Sequence, residues 1–265
     1  MRLPECRAVL TGASGGIGLA LAERLCAGGA QLIAVTRQEG ALSELLQRYP
    51  KQVRVVAADL GSASGRQAVV DAARALGGVN LLINAAGVNR FALLEQLDDQ
   101  AVAELLGINL VATVQLTRAM LPLLRQQRQA LLVNVGSTYG SIGYPGYATY
   151  CASKFALRGF SEALRREMAD TGVGVLYVAP RATRTPMNSA QAVALNSALK
   201  VAMDSPESVA DAVLRAIELD RSELYLGWPE KFFVRLNGLL PSLVDKALRK
   251  QLPLIRQFTH KEMRP

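Results

Sequence analysis

The stretch "TGASGGIG", Thr11–Gly18, decides how the rest of the chain is read. It follows a short strand-like run, "RAVLT" (Arg7–Thr11), and opens onto a segment whose apolar residues recur at helical spacing, Gly15–Ala27. Gly12, Gly16 and Gly18 therefore sit between a strand and a helix. Such a loop turns sharply and lets the backbone approach a phosphate. The helix then turns its first N–H groups, and the positive end of its dipole, toward that phosphate. A tight turn with no ligand uses the same residues. The weight comes from the loop's place in the first strand–helix unit of an alternating chain.

That alternation continues outward from the loop. "QLIAVT" (31–36) is followed by a helical pattern near 39–48, "VRVVAA" (53–58) by one near 62–76, and "VNLLIN" (79–84) by helices across 98–127. "ALLVNV" (130–135) leads to a helix near 149–171. "GVGVLYV" (172–178) leads to "SPESVADAVLRAIELD", which has a Ser205 cap and Pro206 at its first position. "ELYLG" (223–227) reads as a last strand. Continuous apolar strands alternating with helices predict an α/β fold, a doubly wound parallel sheet covered on both faces. No boundary interrupts it before residue 227, so 1–227 reads as one domain and 228–265 as an extension.

Composition narrows the function classes. The 265 residues are 50% hydrophobic and 20% charged, which fits a folded domain rather than a disordered chain. No run approaches the roughly 18–20 apolar residues of a membrane span, and the N-terminus shows no signal-peptide pattern. These readings set a cytoplasmic expectation. Three cysteines without a CxxC pair and a single histidine, His260, argue against a metal site or a histidine triad. Net charge is +8. From Trp228 onward eight lysines and arginines stand against three acids, so most of the surplus lies in the extension. No recognition motif or aromatic stacking array points to nucleic acid.

The loop spacing is Gly-x-x-x-Gly-x-Gly rather than Gly-x-Gly-x-x-Gly. With its opening threonine, it resembles the short-chain dehydrogenase/reductase family. Further matches follow in order: "DL" at Asp59–Leu60, "NAAG" at Asn84–Gly87 with Ala85 in place of the family's second asparagine, "GINLVAT" with Asn109, "NVGS" ending in Ser137, and "YCASK" with Tyr150 and Lys154. The resemblance implies a Rossmann-like fold and a nicotinamide cofactor. The cofactor would lie against Gly12, Ser14, Gly16, Ile17 and Gly18, against Asp59, Leu60, Asn84, Ala85 and Gly87, and against Tyr150 and Lys154. Pro180, Thr183 and Thr185 would complete its site. It also implies a homodimer or homotetramer assembled through the helices near 109–127 and 149–171.

No acid stands at the end of the second strand, where one would bind the ribose 2′-hydroxyl of NAD. Arg37 is there instead, able to pair with a 2′-phosphate through a charge-assisted fork. NADP(H) is therefore expected in preference to NAD(H). The family's second basic position, inside the loop, is Gly15, so selectivity is expected to be incomplete.

The stretch "GYPGYATYCASK" holds three tyrosines before Lys154. Residues four apart share a helix face, and only Tyr150 has that spacing. Tyr144 precedes Pro145, which favours extended backbone, and Tyr147 is two turns away. A nearby ammonium is expected to lower the phenol's pKa toward the catalytic range. By resemblance, Ser137 holds the substrate carbonyl, Tyr150 delivers the proton, Lys154 binds the nicotinamide ribose, and Asn109 positions a water that relays protons through Lys154. Tyr144 and Tyr147 are expected to wall the substrate pocket, and Cys151 to pack on the opposite side.

Where the family has Pro-Gly-x-x-x-Thr, this chain reads "PRATRT", placing Arg181 at the glycine. That arginine either binds an anionic group or points outward. Residues 186–204 read as a mostly apolar substrate lid or as core cover, and a 3-ketoacyl chain, free or acyl-carrier linked, fits such a lid. A small-molecule carbonyl or alcohol is the expected substrate. The competing readings are a membrane-surface hydroxysteroid or retinoid-type dehydrogenase and a non-catalytic NADP(H)-binding sensor or scaffold. In the extension, Pro241 splits two basic amphipathic helices. They pack on the domain or a partner subunit, or make peripheral contact with the inner membrane face.

Overall fold

The computed structural model describes residues 1–260. The last five residues, part of the expected extension, lie outside that range. The strands are β1 (Arg7–Thr11), β2 (Gln31–Thr36), β3 (Val53–Ala57), β4 (Leu81–Asn84), β5 (Ala130–Val135), β6 (Val173–Ala179) and β7 (Glu223–Tyr225). They form one sheet in the order β3-β2-β1-β4-β5-β6-β7, and every adjacent pair is parallel. The helices that matter for the site are α1 (Gly16–Ala27), α2 (Ser43–Arg48), α3 (Ala63–Ala75), α4 (Asp99–Leu106), α5 (Thr113–Arg125) and α6 (Ala148–Glu167). After them come α7 (Ala190–Ala198), α8 (Pro206–Glu218), α9 (Trp228–Leu239) and α10 (Pro241–His260).

Strand side chains alternate between two faces, and here both faces are apolar. Leu10, Leu32, Ile83 and Leu176 join Leu21 and Leu25 of α1 and Val213 and Ile217 of α8 on one side. Val9, Ile33, Leu82 and Val175 join Val69 of α3, Leu116 and Met120 of α5 and Leu164 of α6 on the other. Such double burial explains the continuous hydrophobic strands. It also explains why the span Asp99–Arg125 is long and apolar enough to cross a membrane by length and composition: its Leu105, Leu116, Met120 and Leu124 are buried within the fold.

The chain order reverses between β1 and β4, so the crevice past their C-terminal ends is where a ligand is admitted in such sheets. β7 is shorter than the sequence pattern indicated. One further backbone bond, Leu226 N–H to Ala179 O at 3.0 Å, continues its line. Gly227 then takes φ +83°, a left-handed conformation that turns the chain into α9. The two helices of the extension meet at Pro241 and pack on the domain. Asn237 Nδ2 donates to Ser141 O at 3.0 Å, Tyr144 donates to Gln251 Oε1 at 2.8 Å, and Ile255 is fully buried.

Candidate active site

The glycine loop forms one wall of a cleft at the sheet's C-terminal edge. Gly12 has φ +66°, and a Cβ there would meet the Ala86 backbone at 2.7 Å. A Cβ on Gly16 would strike the Thr185 side chain at 2.7 Å. The N-cap of α1 is Gly15, with no side-chain cap, so the first turn's N–H groups are left for another acceptor. Thr11 Oγ1 accepts from Ala85 N and Ala86 N, each at 3.1 Å, and holds the 85–87 turn against β1. These features fit a dinucleotide: a side-chain-free cradle, open donors and a dipole end face the space where its pyrophosphate would lie. Gly12, Ser14, Gly16, Ile17, Gly18, Ala85, Gly87, Pro180, Thr183 and Thr185 all line the cleft, together with Ser137, Tyr150 and Lys154.

Ser137 follows β5 and Tyr150 lies in the first turn of α6; both line the cleft, and the Ser137 side chain favours the ionised phenol. Lys154, one turn on, is buried, with Nζ 5.7 Å from the Tyr150 ring centre and donating to Val135 O at 3.0 Å. The i, i+4 spacing thus brings the two together. The direction of the tyrosine's shift is the reverse of that expected. Burial pushes the Tyr150 phenol up to about 12, with the Ser137 hydrogen bond partly opposing it, and burial pushes Lys154 down to about 8. Loss of hydration of both ionised forms outweighs their mutual attraction.

Asn109 lies in a π-helical stretch, Gly107–Ala112, between α4 and α5. Its Oδ1 accepts from Val88 N at 2.8 Å, and its Nδ2 donates to Val88 O at 3.0 Å and to Ser153 Oγ at 3.1 Å. Ser153 in turn donates to Tyr150 O at 2.7 Å. Both amide hydrogens are therefore taken by protein, and Asn109 ties the 87–89 loop to α6. Ser153 was missed from sequence because no spacing rule marks it.

Several expected site residues stand elsewhere. Asn84's side chain is turned into the core, where Nδ2 donates to Thr117 Oγ1 at 3.1 Å and Asn134 Oδ1 at 2.9 Å. Arg37 is exposed beyond β2, and Asp59 and Leu60 lie beyond β3; none of the three is among the residues that line the cleft. Asp59 Oδ1 accepts from Gly61 N at 2.9 Å. Tyr147 lines the cleft, as expected of a pocket wall. Tyr144 does not: it stacks on Tyr139, ring centres 5.1 Å apart, and bonds α10, while Tyr139 takes the wall position. Cys151 is buried, with Sγ accepting from Tyr144 N at 3.4 Å.

Arg181 lines the cleft rather than pointing freely outward. Its guanidinium is held by Asp204, at 2.7 and 3.0 Å, and by Glu230 of α9 at 3.5 Å. Glu230 itself lines the cleft, so the extension contributes to the site. Of the apolar lid positions, Val201 lines the cleft while Ala192 and Leu195 are buried; Pro186, Met187, Asn188 and Asn196 supply the rest of that wall. Tyr177 is a further residue that the sequence did not mark. It donates to Ser137 O at 3.2 Å, and its ring fills the space that a Cβ on Gly136 or Gly140 would need.

Fold and site together define a dinucleotide-dependent oxidoreductase of the single-sheet type. The chain belongs to the short chain dehydrogenase family, whose pattern matches residues 7–195. It is 34% identical over 191 residues to the 3-oxoacyl-(acyl-carrier-protein) reductase of Vibrio cholerae serotype O1, across 72% of this chain and 78% of that relative. Two solved structures are similar. A short-chain dehydrogenase from Burkholderia cenocepacia J2315 in complex with NADP has a TM-score of 0.81 and 28% identity, over 94% of this chain and 99% of that one. One from Burkholderia phymatum in complex with NAD has a TM-score of 0.83 and 25% identity, over 92% and 96%.

Proposed function

We propose that the chain uses NADP(H) to reduce the carbonyl of a largely apolar substrate, or to oxidise the corresponding alcohol, with a 3-ketoacyl chain as the foremost candidate. The observation that carries this reading is that Ser137, Tyr150 and Lys154, the last one helical turn from the tyrosine, line the same glycine-walled cleft. When bound, the nicotinamide supplies or accepts a hydride. Ser137 and Tyr150 hold the carbonyl oxygen between two hydroxyl donors. Tyr150 gives its proton to that oxygen as negative charge develops. Lys154 brings a cation beneath the phenol, and Asn109, through Ser153 and Val88, keeps α6 and the 87–89 loop in register. The activity named for the Vibrio relative favours the ketoacyl reading and an acyl-carrier-linked substrate.

Arg37 is assigned to the 2′-phosphate of NADP. Its exposed position past β2 supports that choice, as does the NADP complex of the Burkholderia cenocepacia neighbour. Residues 1–227 form the catalytic unit and 228–265 an extension, whose Glu230 lines one wall. Exposed Val111 and Phe155, at 45% and 42%, favour a homodimer or homotetramer through the π stretch and α6. A cytoplasmic location is assigned on the same reading.

The test is NADPH consumption across a panel of carbonyls, including a 3-ketoacyl thioester. Turnover that falls by about 10²–10⁴-fold in Tyr150→Phe supports the assignment. NADPH binding without turnover of any carbonyl would show a non-catalytic binding module instead.

A further inference from the structure

The face of α9 that turns away from the domain is a feature the active site leaves unused. Glu230, Val234 and Asn237 form its inner face, with Glu230 paired to Arg181 and Asn237 bonded to Ser141. At about 100° per residue, the opposite face carries Trp228, Phe232, Arg235 and Leu239. Trp228 is 77% exposed, Phe232 54% and Leu239 80%. Leu240 and Leu243, also exposed, carry the apolar surface around the corner into α10.

This surface is strongly cationic. Lys231 and Arg235 flank the apolar stripe, and α10 exposes Lys246, Arg249 and Lys250. Glu230 is turned inward, which leaves Asp245 as the one outward acid among the described residues of α9 and α10. Water does not satisfy the apolar stripe. A second copy across a two-fold axis would set these same cations against each other, and lysines are depleted at protein interfaces. An anionic lipid surface satisfies both halves: rings and leucines enter the acyl boundary, tryptophan takes the headgroup level, and cations meet phosphates.

We propose that α9 lies in the headgroup layer of an anionic phospholipid bilayer, with Trp228, Phe232 and Leu239 toward the acyl chains and Lys231, Arg235 and the cations of α10 on the phosphates. Because Glu230 on the opposite face lines the cleft, the cleft mouth then sits about one helix diameter, ~10 Å, from lipid. The attachment is independent of which carbonyl the site takes, or whether it takes one.

Trp228 is the chain's single tryptophan, so its emission reports the contact directly. The full chain is titrated with vesicles of phosphatidylcholine alone and with vesicles containing roughly a third phosphatidylglycerol. The expected result is a blue shift and co-sedimentation with the anionic vesicles, at least about tenfold stronger than with the neutral ones, and lost in 1 M salt, where the Debye length is about 3 Å. Lys231→Glu/Arg235→Glu and, separately, Phe232→Ser/Leu239→Ser should each weaken partitioning by about tenfold or more. Their melting temperatures should be unchanged, since the side chains are exposed. Equal partitioning into both vesicle types, or no shift, would overturn the proposal. So would a blue shift that needs no vesicles and follows protein concentration in sedimentation velocity, which would assign the face to a second copy.

Discussion

Arg181 and Asp204 form a two-pronged ion pair, Nη2 to Oδ1 at 2.7 Å and Nε to Oδ2 at 3.0 Å, at a position where the family's usual glycine would leave nothing for Asp204 to hold. The same aspartate anchors the lid through its backbone: Asp204 N donates to Ala182 O and Arg184 N donates to Asp204 O, both at 2.9 Å. The pair thus closes the 182–204 segment on itself.

Asp204→Ala should therefore loosen that segment and free Arg181. With both side chains about one-fifth exposed, the expected loss is about 1–2 kcal/mol of stability. KM should rise several-fold while kcat changes less, because the hydroxyl pair is untouched. Urea denaturation and steady-state kinetics check this; an unchanged KM would separate the pair from substrate or cofactor binding.

The rates in the two reaction directions should respond to pH in opposite ways. Burial holds Tyr150 near 12, so the phenol stays protonated for carbonyl reduction throughout the neutral range. Alcohol oxidation needs the phenolate, and its kcat/KM should climb by close to tenfold per pH unit between pH 7 and 10. Initial rates with a matched ketone–alcohol pair measure both limbs. A flat oxidative limb would mean that the bound cofactor or substrate sets the tyrosine's pKa.

Lys154 makes a separate prediction about stability. Its folded pKa, about 8, lies below the unfolded value near 10.5. As pH falls through that window the unfolded chain takes up the proton first, so the folded state loses stability. Lys154→Met removes this titration. Relative to that variant, the wild type should gain about 2–3 kcal/mol between pH 7 and pH 10. Chemical denaturation of both proteins at the two pH values isolates the difference, because Tyr150 and the buried cysteines titrate alike in both.

Arg37→Ala should raise the Kd for NADPH by roughly tenfold or more and leave that for NADH nearly unchanged. Fluorescence titration with both cofactors gives the ratio. An unaltered ratio would remove Arg37 from cofactor choice.

The sequence disclosed the parts of this fold that depend on local chemistry. β1, β2 and β5 match their predicted bounds because each is a continuous apolar run stopped by Gly, Arg or a polar turn. Tyr150 and Lys154 were readable because a helix converts a spacing of four into contact. What stayed hidden depends on long-range pairing. Nothing local ties Arg181 to Asp204 and Glu230, places Tyr177 beneath the Ser137 turn, or turns Asn84 inward to Asn134 on the neighbouring strand. The tyrosine's upward shift was missed for the same reason: spacing reports the nearby ammonium but not the loss of water around both groups.

The cleft has walls from two parts of the chain. The glycine loop, Ser137, Tyr150 and Lys154 fall inside the stretch that matches the family, which ends at residue 195. Asn196, Val201, Glu230 and the helices behind them fall after it, and α9 and α10 hold to the domain through a few polar contacts and a buried isoleucine. The proton-handling wall and the lid wall are thus held by separate parts of the chain, so changes in the later residues can alter what the cleft admits without touching Ser137, Tyr150 or Lys154.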